Sequence, residues 1–268
     1  MNDQQKQLIF EQAKQWILEA GERIRAKMHE PFVIETKSTP DDLVTEIDQN
    51  TEQFFAKKIR ETYPDHRVLG EEGFGDELAD LNGTVWIVDP IDGTMNFVHQ
   101  KQNFAISVGI YSDGIGEIGF IYDVMGDVLY QSKRGEGAYK NDQKLSPLSS
   151  DVVLERSIVG LNAFWATENP RVDKNGMQEL IRKVRGTRSY GSAALEFAYV
   201  VEGNMDAYVT MRLAPWDVAA GIVLLNEVGG ITTKADGTEV NMLTTNSIIA
   251  SNPAIHREII DKHIELKK

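Results

Sequence analysis

The run Val85-Trp-Ile-Val88 is apolar and rich in strand formers, and it ends abruptly in Asp89-Pro-Ile-Asp-Gly-Thr94. Such a run, bounded by turn residues, reads as a buried strand. Its C-terminal end then carries two carboxylates, Asp89 and Asp92, with no lysine or arginine adjacent in sequence to neutralise them. Magnesium suits that position. It prefers hard oxygen ligands, and two carboxylates with the intervening carbonyl of Ile91 can serve a pair of ions that bridges a phosphate. Asp92-Gly93-Thr94 also reads as the start of a helix whose first N–H groups are available to an anion. A blander reading fits the same residues: a strand ending in an Asx turn, with Asp92 capping the helix.

Two other segments bear on that choice. Gly70-Glu71-Glu72-Gly73 follows the strand-like Arg67-Val68 and offers further carboxylates, and Trp216-Asp217-Val218 sets Asp217 at the start of an apolar helix. Each has an ordinary explanation alone, a solvated loop in the first case and a helix-dipole partner in the second.

The spacing of apolar residues predicts an amphipathic helix over 3–28 and a second over about 45–62, stopped by Tyr63-Pro64. Short β-branched and aromatic runs at 84–88, 104–111, 117–122 and 128–131 predict a mostly antiparallel sheet. After Leu154 the pattern alternates. Strands are expected near 157–161, 206–210 and 248–250, with helices near 174–184, 193–201, 216–228 and 253–264, which reads as layered α/β. Nothing marks a flexible linker. The expectation is one catalytic domain, 1–268, with two lobes, about 1–150 and 151–268, meeting near 146–156.

Composition removes several classes. The formal net charge of −13 argues against a nucleic-acid or anionic-membrane binder. No cysteine is present, which excludes thiolate nucleophiles and cysteine metal sites. The five histidines show no metal-ligand spacing, and no G-x-S-x-G occurs. A literal G-x-G-x-x-G, Gly114 to Gly119, continues as strand through Phe120-Ile-Tyr122, so it is read as a hairpin turn rather than a dinucleotide loop. No segment is long and apolar enough to span a bilayer and no export signal is evident, so a cytoplasmic location is expected.

Taken together, Gly70-Glu71-Glu72, Asp89-Pro-Ile-Asp-Gly-Thr94, Trp216-Asp-Val-Ala-Ala-Gly221 and Asp42-Leu-Val-Thr-Glu-Ile-Asp48, preceded by Lys37, resemble the Mg²⁺-dependent, lithium-sensitive phosphatases of the inositol monophosphatase family. The resemblance covers essentially the whole chain, with the motifs in order. It implies an α-β-α-β-α sandwich of the inositol monophosphatase/fructose-1,6-bisphosphatase type. It implies two to three Mg²⁺ ions: Glu71, Asp89 and the Ile91 carbonyl at the first, Asp89, Asp92 and Asp217 at the second, and a weaker third near Glu71. Glu71 and Thr94 would position and activate the attacking water, with Asp48 supporting the threonine. Lithium is expected to inhibit, a homodimer is expected, and the stretch from Lys37 to Asp42 is a candidate flap.

The resemblance also implies a substrate pocket made by Asp92, Gly93, Thr94, Gly191, Ser192, Ala193, Thr210 and Asp217. Where animal members place a glutamate that bonds inositol hydroxyls, this chain offers Thr210. The reading is therefore a phosphate monoesterase acting on inositol 1-phosphate. The alternatives are the 2′-phosphate of NADP, fructose 1,6-bisphosphate or 3′-phosphoadenosine 5′-phosphate, and, outside enzymes, a metal-dependent regulatory module.

Overall fold

The computed structural model describes residues 1–36 and 43–267, so the flap expected at Lys37 and Asp42 lies outside the described residues. Helix α1 (Asp3–Lys27) opens the chain, and a short antiparallel pair, β1 (Ile34–Thr36) and β2 (Leu43–Thr45), leads into α2 (Glu46–Thr62). Thr45 caps α2 by accepting from the Ile47 and Asp48 amides, while Asp48 reaches back to the Thr45 amide at 3.0 Å. This reciprocal box fixes where the helix starts and turns the Asp48 carboxylate inward.

A seven-stranded sheet follows in spatial order β3 (Arg67–Gly70), β4 (Thr84–Asp92), β5 (Ala105–Ser112), β6 (Ile115–Asp123), β7 (Val128–Lys133), β8 (Gly137–Lys140) and β9 (Gln143–Lys144). Helix α3 (Thr94–Gln100) joins β4 to β5. Only β3 and β4 run parallel; the other pairs are antiparallel. The second sheet has order β11-β10-β12-β14-β13. It is built from β10 (Ile158–Leu161), β11 (Gly186–Arg188), β12 (Ala207–Leu213), β13 (Ile231–Thr233) and β14 (Asn246–Ser251). In it β10, β11 and β12 are mutually parallel, and β14 is antiparallel to its neighbours. Helices α4 (Lys174–Lys183), α5 (Ala193–Val201), α6 (Pro215–Glu227) and α7 (Pro253–His263) connect or follow these strands.

Alternation along β4 explains the layering. Trp86 and Val88 face one side, where they pack with Trp16, Ile17 and Ile24 of α1 and Phe55 and Ile59 of α2. Val85 and Ile87 face the other, where they join Leu195 and Phe197 of α5 and Ala219, Ala220 and Leu224 of α6. Tyr208 and Ile248 of the second sheet close that middle core, and the outer face of the second sheet packs Leu180 of α4 with Ile255 and Ile259 of α7. The result is the five-layer α-β-α-β-α sandwich that the family resemblance implied. A strand buried on both faces needs a continuous apolar run, which is what Val85 to Val88 supplies.

The glycine-rich stretch that resembled a dinucleotide loop has two structural uses. Asp113 and Gly114, with φ of 51° and 78°, make the β5–β6 hairpin turn. Beyond it the glycines seat α6. A Cβ at Gly119 would come within 2.7 Å of the Ala220 carbonyl oxygen, and one on its cross-strand partner Gly109 within 2.8 Å of the Ala219 Cβ. Helix α6, which carries Asp217 in its first turn, therefore rests directly on the backbone of β5 and β6. No helix among the described residues is long and apolar enough to cross a membrane.

Candidate active site

The parallel strands of both sheets end at one place. β3 delivers Glu71, and β4 delivers Asp89 and Asp92. In the second sheet, β10 leads to Phe164 and Trp165, β11 to Gly191 and Ser192, and β12 to Asp217 at the start of α6. Loops beyond the carboxyl ends of parallel strands are where α/β folds gather functional groups.

Within β4 the register against β5 shifts between Asp89 and Asp92, so Pro90-Ile91 forms an irregularity that turns both carboxylates toward the same region. One oxygen from each of Asp89, Asp92 and Asp217 lies within 4.8 Å of the others. Asp89 and Asp92 are buried and Asp217 is half-buried. Asp89 also accepts from the Ile91 amide at 3.1 Å. Asp92 accepts from the Ser192 hydroxyl and from the Ala193 and Ala194 amides at 3.2 and 2.9 Å, so it caps α5 from the opposite sheet. Asp217 accepts from the Ala214 amide at 2.7 Å. The bland reading of Asp92 and Asp217 as helix-start residues thus holds alongside the clustered one.

The electrostatics of the cluster are those of crowded, buried like charge. Burial, followed by the charges of Glu71, Asp92 and Asp217, holds the Asp89 carboxyl well above the usual carboxylate range. Burial together with Asp92 and Glu71 does the same to Asp217. Burial raises Asp92 to about 6, in spite of the hydrogen bonds from Ser192 and Ala194. Among the described residues none of the three has a cationic partner within ion-pair distance. Hard oxygens crowded in this way fit a divalent cation such as Mg²⁺. Glu71 is outside the tight group but close enough to raise all three, and it shares with Asp217 a cavity of about 530 Å³.

Thr94 begins α3 beside the cluster. Its hydroxyl lies 3.1 Å from Asp48 Oδ1 and 3.0 Å from the Ile91 carbonyl oxygen. Asp48 is wholly buried, and burial lifts it to about 6 against the hydrogen bonds from Thr45 and Thr94. Gly93, with φ of 94°, is the bend that lets α3 start there; a Cβ at this position would meet the Ser192 side chain at 3.1 Å and the Gly191 carbonyl oxygen at 3.2 Å.

Asp92, Gly191, Ser192, Ala193, Thr210 and Asp217 line a second cavity, of about 550 Å³. Asp217 and Arg212 border both cavities, so the carboxylates stand between them. The expected site residues Asp48, Glu71, Asp89, Ile91, Asp92, Gly93, Thr94, Gly191, Ser192, Ala193, Thr210 and Asp217 therefore converge on one region. Sequence reading missed Phe164, Trp165 and Arg212 in the pocket wall. Arg212 was within reach, since it follows Thr210 by two in a strand and so shares its face. Phe164 and Trp165 carry no motif, and only the parallel direction of β10 brings them to the site.

A family model described as the inositol monophosphatase family matches residues 5–267. The chain belongs to that family. An inositol-1-monophosphatase of Bacillus subtilis (strain 168) is 57% identical over 260 residues, spanning 97% of this chain and 98% of the relative. Among solved structures of this family, SaIMPase-II bound to inositol monophosphate has a TM-score of 0.87 at 45% identity, covering 96% of this chain and 93% of the other. The same protein bound to 2′AMP gives 0.88 at 46%, covering 96% and 94%. An IMPase/NADP phosphatase complexed with Mg²⁺ and phosphate gives 0.89 at 28%, covering 98% and 99%. Membership makes the chain a phosphoric monoester hydrolase, and its crowded carboxylates form a group that could hold a metal ion.

Proposed function

We propose that the chain hydrolyses inositol 1-phosphate in a Mg²⁺-dependent reaction, as a single two-lobed catalytic domain that works as a cytoplasmic homodimer and is inhibited by Li⁺. The observation that carries the reading is the convergence of three crowded carboxylates, without a cationic partner among the described residues, with Glu71 and the Thr94–Asp48 pair. In this reading Asp89, Asp92, Asp217, Glu71 and the Ile91 carbonyl would hold two to three ions. Bound Mg²⁺ supplies charge neutralisation for the phosphoryl and leaving oxygens and lowers the pKa of a water.

The chain's own residues supply the rest. The Asp48 carboxylate accepts a hydrogen bond from the Thr94 hydroxyl, which leaves a Thr94 Oγ1 lone pair to accept from the attacking water and hold it in line with the scissile bond. Glu71 takes that water's second hydrogen bond and then its proton. The first-turn N–H groups of α3 receive the phosphoryl oxygens. Asp92, Ser192, Ala193 and Thr210 face the alcohol portion of the substrate.

A second reading, release of a 2′-phosphate from NADP or a related nucleotide, is favoured by one feature of the pocket. Thr210 brings no charge, while Phe164 and Arg212, both exposed at the cavity rim, offer an aromatic face and a cation to a larger anionic ester. The relative bound to 2′AMP supports it.

The test is phosphate release from inositol 1-phosphate, NADP⁺, 2′AMP, fructose 1,6-bisphosphate and 3′-phosphoadenosine 5′-phosphate with Mg²⁺, with EDTA, and with added Li⁺. The expected result is Mg²⁺-dependent, Li⁺-inhibited turnover with the highest kcat/KM for inositol 1-phosphate. A higher value for NADP⁺ or 2′AMP replaces the first reading with the second.

A further inference from the structure

We propose that Glu52 is a positioning residue for Glu71, setting the geometry in which that carboxylate meets a divalent cation; this rests on the reading of Glu71 as a metal ligand. Helix α2 carries two carboxylates one turn apart, Asp48 and Glu52, and both are fully buried. Asp48 serves Thr94. Glu52 reaches the other half of the site. Its Oε2 accepts from the Glu72 amide at 2.5 Å and its Oε1 from the Phe74 amide at 2.8 Å.

The grip extends to the residue before Glu71. A Cβ at Gly70 would lie 2.4 to 2.6 Å from the three carboxyl atoms of Glu52, so the carboxylate rests directly on the Gly70 backbone. Glu71 is thus carried on a turn clamped at 70, 72 and 74 by one side chain. Gly70 pairs with Val88 across the parallel strands, which places the clamped turn beside Asp89. Buried backbone N–H groups need acceptors, and two of them here could have been met by water in a more open loop. Meeting both with one carboxylate sealed behind the turn fixes the loop in place, as the outer partners of metal ligands do.

The test uses the full chain with the substitutions Glu52→Gln, Gly70→Ala and, as a reference, Glu71→Gln. Glutamine keeps one acceptor but turns an NH₂ toward the second amide, and the Gly70→Ala methyl presses on the same carboxylate from the other side. Mg²⁺ binding is read by titration calorimetry and by the Mg²⁺-induced rise in Tm, and the half-saturating Mg²⁺ concentration is read from turnover. The expected result is a weakening of Mg²⁺ affinity by about 10–100-fold in both Glu52→Gln and Gly70→Ala, with a matching shift in the Mg²⁺ dependence of turnover. If Glu52→Gln does not fold, Gly70→Ala alone decides. A lower Tm with wild-type Mg²⁺ affinity makes Glu52 a structural filler and overturns the proposal. Wild-type Mg²⁺ binding by Glu71→Gln instead overturns the ligand reading beneath it, so the two failures are distinguishable.

Discussion

At the scale of single residues, the carboxylate cluster of Asp89, Asp92 and Asp217 is a place where the fold works against itself. Asp89, Asp92 and Asp217 are raised by burial and by one another, so without a cation they oppose the native state. Asp217→Asn tests this cleanly, because the amide oxygen can still accept from the Ala214 amide. In EDTA the variant is expected to melt higher than wild type, by about 2–4 °C for each kcal/mol of repulsion relieved, as followed by calorimetry. It should also lose most of the stabilisation that Mg²⁺ gives the wild type, and its turnover should fall about a hundredfold or more, since even outer-shell changes at metal sites cost 10–100-fold. A variant that melts lower in EDTA would mean the carboxylate stabilises the apo fold.

At the scale of elements, two contacts decide whether the layers stay in place. Helix α6 sits on glycines, and Gly119→Val would drive side-chain atoms into the Ala220 backbone. Overpacking of this kind costs about 1–3 kcal/mol, so the expected outcome is a lower Tm together with lower turnover, because lifting α6 moves Asp217. The second contact pins α7. His256 is buried between Ser251 of β14, whose Oγ lies 2.7 Å from Nδ1, and Thr233 of β13, whose Oγ1 lies 3.0 Å from Nε2. Burial, with Arg257 second, lowers His256 to about 4. In the unfolded chain the ring takes up a proton near pH 6.5, while in the folded protein it stays neutral down to about 4. The unfolded state therefore binds more protons in that window, and this contribution, complete above pH 6.5, is lost as pH falls toward 4. Melting curves between pH 7 and 4.5 should fall less steeply for His256→Gln than for wild type; parallel curves would assign the acid sensitivity to other groups.

At the scale of the whole molecule, legibility followed locality. Among the described residues, the helices other than α3 and the longer strands were readable because their apolar spacing is a property of a few consecutive residues, as in Ile9, Ala13, Trp16, Ile17, Ala20 and Ile24 of α1; α3 was readable only as a helix start at Asp92-Gly93-Thr94. Short strands such as β9, β11 and β13, of two or three residues, show no period. The motif residues Glu71, Asp89, Asp92, Thr94 and Asp217 were legible only together, since each short motif has an ordinary reading alone and it is their presence in order along one chain that carries the family resemblance. Glu52 left none, since an acidic residue in an amphipathic helix reads as solvated until the turn it holds is folded against it. The meaning of Gly109 and Gly119 depends on a helix a hundred residues away, and the docking of α6 cannot be seen from the strands alone.

The placement of Asp217 has a temporal side. During synthesis Asp89 and Asp92 leave the ribosome well before Asp217, and the third carboxylate takes its place only once α6 has been made and has settled on β5 and β6. Asp92 likewise waits for Ser192, Ala193 and Ala194 to give its oxygens their partners. On the proposed reading, a nascent or truncated chain that stops short of α6 lacks one of the three clustered carboxylates however well its first sheet has formed, so turnover is expected only once the second half of the polypeptide has been made.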